Sequence, residues 1–153
     1  MTARQVASTA IAALLVTSAF APAYAKPKPK PKPKPITKTY TATEPVPYPA
    51  ATTICDGAPE GVSLNREPFK VPAAGLFYAE MTGFEGDWDM RVVDSSGEVI
   101  TEGSGTSTPN TNVPGSNKDS LEFKVKKAGD IVLEVCNFAG TPTATVTYTF
   151  TYA

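Results

Sequence analysis

The 153-residue chain carries 14 basic and 15 acidic residues and no histidine. Its length allows one modest domain with accessories, and the missing histidine removes Ser-His and Cys-His catalysis and the usual Cys/His zinc sites. Arg4 and five lysines precede Ile36, which leaves eight basic residues against all 15 acidic ones from Ile36 onward; a body with seven net negative charges offers nucleic acid no general attraction.

Residues 1–25 read as a secretory signal peptide. Arg4 is the single n-region charge, Ala10 to Ala21 is a short apolar run, and Ala23-Tyr24-Ala25 gives a small-x-small cleavage site. The run is too short to span a bilayer, and no later stretch is long and apolar enough to be a transmembrane segment. The expected location is secreted or extracellular, with association to the cell wall as one form of it.

Lys26 to Pro35 is five Lys-Pro repeats. Proline fixes its own φ and biases the residue before it toward extended conformations, so a polyproline II spacer is predicted. At about 3.1 Å per residue it reaches roughly 30 Å. It reads either as a solvated linker or as an electrostatic tether, in which Lys26, Lys28, Lys30, Lys32 and Lys34 contact polyanions such as teichoic acid or acidic phospholipid head groups.

The third segment, 36–153, alternates short strand patterns with turn signals. Ile36 to Thr43 is an alternating, threonine-rich strand, and Glu44 to Thr53, broken by Pro45, Pro47 and Pro49, is an irregular crossing. Cys55-Asp56-Gly57 opens another loop. Phe69 and Val71 mark a short strand, and Leu76 to Thr82 the next, with Phe77, Ala79 and Met81 on one face. In Gly83 to Gly97, Trp88, Met90 and Val92 alternate with Asp89, Arg91 and Val93, and Asp94-Ser95-Ser96-Gly97 is a hairpin loop whose return arm is Glu98 to Glu102.

Gly103 to Asn117 is a long loop of small and polar residues, a weak choice of contact surface. Leu121, Phe123 and Val125, then Ile131, Leu133 and Val135, mark the inward faces of two more strands. The last strand alternates Val146, Tyr148, Phe150 and Tyr152 with threonines. About eight short strands and no 3.6-residue period predict an all-β, antiparallel sandwich of jelly-roll type.

Cys55 and Cys136 are the only cysteines. In an oxidising compartment an even pair reads as a disulfide. Cys136 has the parity opposite to Ile131, Leu133 and Val135, so the bridge would staple the Cys55 loop to the outer face or to the end of that strand.

The run V-P-A-A-G-L-F-Y-A-E-M-T-G-F-E-G-D-W-D-M-R-V-V-D-S-S-G, with the later A-G-D-I-V-L-E-V and Y-T-F-T strands, resembles the bacterial pre-peptidase C-terminal (PPC) domain family. The likeness covers roughly Phe69 to Tyr152. It implies a small non-catalytic β-sandwich of the kind appended to secreted peptidases, where it aids export, solubility or substrate binding. No peptidase precedes the domain in this sequence, so the module is expected to act alone, as a secreted stand-alone version, or on a partner in trans.

Asp87 and Asp89 are the metal candidates, for calcium, which takes several hard oxygen ligands. Further ligands would have to come from elsewhere, such as Glu85 or Asp119. Asp94 lies at the far end of the strand, roughly 16 Å away at ~3.3 Å per residue. The competing reading is structural: Asp87 orders its turn and Asp94 opens the hairpin by accepting backbone amides. No cofactor other than calcium is expected. Without a G-x-S-x-G or S-x-x-K motif the chain does not read as an enzyme. The favoured expectation is a binding or accessory module for a protein or glycan at the cell envelope. The alternatives are a calcium-stabilised accessory to an exported enzyme, and a small hydrolase using Asp87 or Asp89.

Overall fold

The computed structural model describes residues 30–48, 54–102 and 117–153. The signal segment, Lys26, Lys28 and positions 103–116 of the long loop lie outside these residues. The fold proper falls within Lys32–Ala153.

Eight strands follow in chain order: β1 (Ile36–Thr43), β2 (Leu64–Val71), β3 (Gly75–Phe84), β4 (Gly86–Asp94), β5 (Val99–Glu102), β6 (Asn117–Val125), β7 (Gly129–Gly140) and β8 (Thr143–Tyr152). They form two antiparallel sheets, ordered β1-β8-β3-β6 and β2-β7-β4-β5. Strand one therefore pairs with eight, two with seven, three with six and four with five. That order results when an antiparallel ribbon of four strand pairs is wound around a barrel, and it is the jelly roll.

Period-two patterning sets what fills the space between the sheets. Phe77, Ala79 and Met81 of β3, Trp88, Met90 and Val92 of β4, Leu133 and Val135 of β7, and Val146 and Phe150 of β8 are all fully buried. Phe69, Phe77, Tyr148 and Phe150 form one aromatic cluster, with ring centroids 5.3 to 5.9 Å apart. Trp88 lies in the core, as its parity predicts. Val93, of the outward parity, is buried too; the β4–β5 register slips between Val92 and Val93.

Two boundaries differ from those read in the sequence. β2 starts at Leu64 and runs through Pro68. It is an edge strand whose one partner is β7, so the missing proline N–H faces away from the ladder. β6 starts at Asn117, which the sequence reading assigns to the loop. Asn117 and Asp119 share the inward parity of Leu121 and are buried, and Asn117 Nδ2 donates to the Gly86 carbonyl at 3.0 Å. This bond ties the rim of one sheet to the other.

Registers place the turns at two opposite ends. At one end, Gly75 pairs with both Val125 and Tyr152, Val71 with Gly129, and Asp94 with Ile131. The chain enters β1 near this end, where Ile36 pairs with Phe150. At the other end Gly86 faces Gly140, Phe84 faces Asn117, and Thr43 faces Thr143.

Candidate functional site

The G-D-W-D segment is a knot in the backbone. Gly86 and Gly140 oppose each other at φ +92° and +121°, and a Cβ on Gly86 would overlap the Ala139 carbonyl. That close approach lets Thr141 reach the β3–β4 turn. The Thr141 N–H donates to Glu85 O at 3.0 Å, and the Glu85 N–H donates to Thr141 Oγ1 at 3.0 Å. The indole Nε1 of Trp88 donates to the Thr141 carbonyl at 3.0 Å, so the one polar atom of this buried ring is satisfied.

Asp87 is exposed and Asp89 half-buried. Burial and the neighbouring carboxylates of Asp87, Asp119 and Glu102 push Asp89 up to about 6. Asp119 is buried, and its Oδ1 accepts the Ser120 N–H at 2.7 Å. Among the described residues no three His, Cys, Asp or Glu side chains converge to hold a metal. Asp94, at the opposite end of β4, opens its hairpin: Oδ1 accepts the Ser96 N–H at 2.8 Å, the Ser96 hydroxyl at 2.6 Å and the Glu98 N–H at 3.0 Å, which holds its carboxyl below the usual range.

Cys55 and Cys136 form a disulfide with a Cα–Cα distance of 5.4 Å across a separation of 81 residues. It staples the Cys55 segment to the outer face of β7 and not to its end. A second, smaller apolar cluster forms there from Cys55, Ala58, Leu64 and Cys136, flanked by Tyr48, Ile54 and Phe138. Beside it, Glu134 is buried between two guanidinium groups. Arg91 Nε donates to Glu134 Oε2 at 2.7 Å and Arg66 Nη2 lies 3.1 Å from Oε1, while Arg91 Nη1 also meets Asp56 of the stapled segment at 2.5 Å. Disulfide and ion pairs thus clamp the same segment.

The start of the Pro-interrupted crossing is held by Asn137. Its Nδ2 donates to the carbonyls of Glu44 at 2.9 Å and Thr141 at 3.2 Å, its backbone N–H donates to Ser63 O at 3.1 Å, and its carbonyl accepts the Tyr48 N–H at 2.9 Å. Glu44 itself is only 1% exposed. Burial pushes its carboxyl up to about 7, a hydrogen bond to the Asn65 side chain opposes this, and the Glu60 carboxylate adds to it. Its Oε2 has no hydrogen-bond partner among the described residues. Nothing in the sequence around Glu44 marks it as buried. Tyr78, whose parity predicts exposure, is half-buried and donates to Glu80 Oε2 at 2.7 Å.

No family model matches the chain, and no curated protein does. Among solved structures it is similar to the pre-peptidase C-terminal domain of a collagenase from Bacillus anthracis, with 13% identity, 76% of this chain and 88% of that one covered, and a TM-score of 0.47. The assignment as a jelly-roll sandwich stands on the strand pairing itself.

Proposed function

We propose that this chain is an exported, non-catalytic β-sandwich that binds a protein or glycan at or near the cell envelope and is held there by its Lys-Pro segment. The observation that carries the reading is the segregation of charge. Five lysines at alternate positions sit on a proline-rich spacer ahead of a body with seven net negative charges, and Lys32 and Lys34 are exposed to solvent. A stiff, repeating cation favours an extended polyanion, because each lysine adds a screened, additive attraction and no single contact fixes a register. The non-catalytic part rests on the absence of histidine and on the structural employment of Trp88, Arg91 and Asp94 in β4.

The test is fractionation of producing cells. Replacing the five lysines by glutamine preserves the spacer and is expected to move the protein from the cell fraction to the medium, as high salt does for the native chain. Unchanged cell association would remove the tether. Calorimetry with calcium and with chelator addresses the alternative of a calcium-stabilised accessory module: a higher melting temperature with calcium favours it, and equal melting temperatures exclude it.

A further inference from the structure

Each sheet ends in two edge strands, β1 and β6 in one and β2 and β5 in the other. An edge strand turns every second backbone N–H and C=O away from its ladder, and proteins guard such edges with proline, with charge or by keeping them short. Three of the four edges are guarded in these ways. β5 is only four residues long. The bond from the Asn137 N–H to Ser63 O continues the β2–β7 register, so Pro68 is among the residues of β2 that face outward, and that edge lacks a donor. β6 carries exposed Lys118, Glu122 and Lys124.

β1 is the edge left open. It runs for eight residues without a proline, and Lys38 is its one charge. Its phase is set by the bond from the Glu44 N–H to Pro142 O at 2.8 Å, which continues the β1–β8 register by one residue. Pairs that exchange hydrogen bonds alternate with pairs that do not in an antiparallel ladder. Lys38, Tyr40 and Ala42 therefore bond β8, while Thr37, Thr39, Thr41 and Thr43 turn their N–H and C=O groups to the open side. The side chains agree with this phase. Thr37 Oγ1 lies 3.0 Å from Thr149 Oγ1 and Thr39 Oγ1 lies 2.9 Å from Thr147 Oγ1, the close approach expected of pairs that do not exchange backbone bonds. Outside the strand ladders these four threonines form no backbone hydrogen bond among the described residues.

We infer that β1 pairs with β1 of a second copy, antiparallel about a two-fold axis at Tyr40, so that two four-stranded sheets join into one. The strand is self-complementary in that register. Thr37 stands opposite Thr43 of the partner subunit and Thr39 opposite Thr41 of the partner subunit, and the axis repeats both pairs. Each pair exchanges two hydrogen bonds, which employs every outward N–H and C=O of the four threonines. Pro35 and Pro45 lie equally far from Tyr40 on either side. Moving the axis to Thr39 sets Thr43 against the partner's Pro35, and moving it to Thr41 sets Thr37 against the partner's Pro45; neither proline has an N–H to give. Lys38 falls opposite the partner's Ala42, and its ammonium is already turned to Glu67 of its own copy. Half-buried Tyr40 meets its counterpart on the axis, an aromatic cross-strand pair. The matched threonines, the absence of facing like charges and the bracketing prolines suit a second β1 better than an unrelated strand. The inference goes beyond the envelope reading and does not depend on it; a dimer presents any binding surface twice and so raises avidity without a new contact.

The test uses the processed full-length chain in analytical ultracentrifugation and amide hydrogen exchange. The native protein is expected to show a concentration-dependent monomer–dimer equilibrium. Exchange at the amides of Thr37, Thr39, Thr41 and Thr43 should slow as the dimer fills, while those of Lys38, Tyr40 and Ala42 are protected throughout. T39K/T41K sets like charges opposite each other on both sides of the axis and should dimerise at least roughly tenfold more weakly. T39K/T41E sets opposite charges at the same positions and should recover the native affinity. Both positions are exposed on the outer face, so circular dichroism should report a native fold for each variant. A native chain that stays monomeric, with fast threonine amides at every concentration, would leave the edge to a strand of another protein and overturn the proposal. A dimer untouched by T39K/T41K would place the interface elsewhere, and one weakened equally by T39K/T41E would contradict the register; either result also overturns it.

Discussion

Replacing Glu44 by glutamine is expected to stabilise the protein at pH 8 and to leave it unchanged at pH 4. The native carboxyl is 1% exposed and is pushed up to about 7, from an ordinary value of 4.5. Between those two values the folded state binds a proton that the unfolded state has released. Stability therefore falls as pH rises through the window, by at most about 1.4 kcal/mol per pH unit. The full penalty is present above about 7 and absent below 4.5. The interval sets a ceiling of about 3 kcal/mol. Relaxation around the ionised carboxylate and solvent screening lower the expected gain to about 1–2 kcal/mol. For a body of this size that is a rise in melting temperature of roughly 3–10 °C at pH 8. Circular-dichroism melts of native and E44Q proteins from pH 4 to 8 read the difference directly, and because Asp89 is common to both chains its own titration cancels. A difference that stays constant with pH would refute the reasoning, since a packing effect has no cause to titrate between pH 4 and 8.

Reducing the disulfide, or replacing Cys55 and Cys136 by alanine, is expected to cost about 4 kcal/mol in a denaturant titration, from the loop of 81 residues that it closes in the unfolded chain. Gly86→Ala should cost more than about 2 kcal/mol, because positive φ and overlap with the Ala139 carbonyl act together. Gly97→Ala, at φ +88° with open space around it, should cost only about 1 kcal/mol, and equal losses in thermal melts would contradict the account. Arg91→Met should cost about 2–3 kcal/mol by leaving buried Glu134 to Arg66 alone, and Arg91→Met/Glu134→Leu should recover most of it. If the double variant is weaker than the single one, the ion pair contributes more than its desolvation costs.

The inward face of β4 was legible from one strand because alternation is a local property: Trp88, Met90 and Val92 must share a side whatever the strand pairs with. Asp94 was legible for the same reason, since an Asx turn is closed within a few residues of itself. Cys55 and Cys136 could be paired because no other cysteine competes, and the parity of Cys136 already pointed to the outer face of its strand. The burial of Glu44, Asn117 and Asp119 was not legible. Asn117 and Asp119 have the parity of Leu121, but a polar side chain at such a position does not signal burial, and what covers these three comes from strands far along the chain.

The sequence by itself therefore determined the class of the fold, the strand faces and the charge asymmetry of tail and body. These follow from residue periodicity, turn chemistry and counting. Only the tertiary structure decided the jelly-roll order of the strands and the clamp of Arg91 and Arg66 on Glu134. Arg66 and Glu134 lie far apart in sequence and meet because β2 and β7 run antiparallel with these two residues in register. Long-range strand pairing carries that information, and a chain read one window at a time does not contain it.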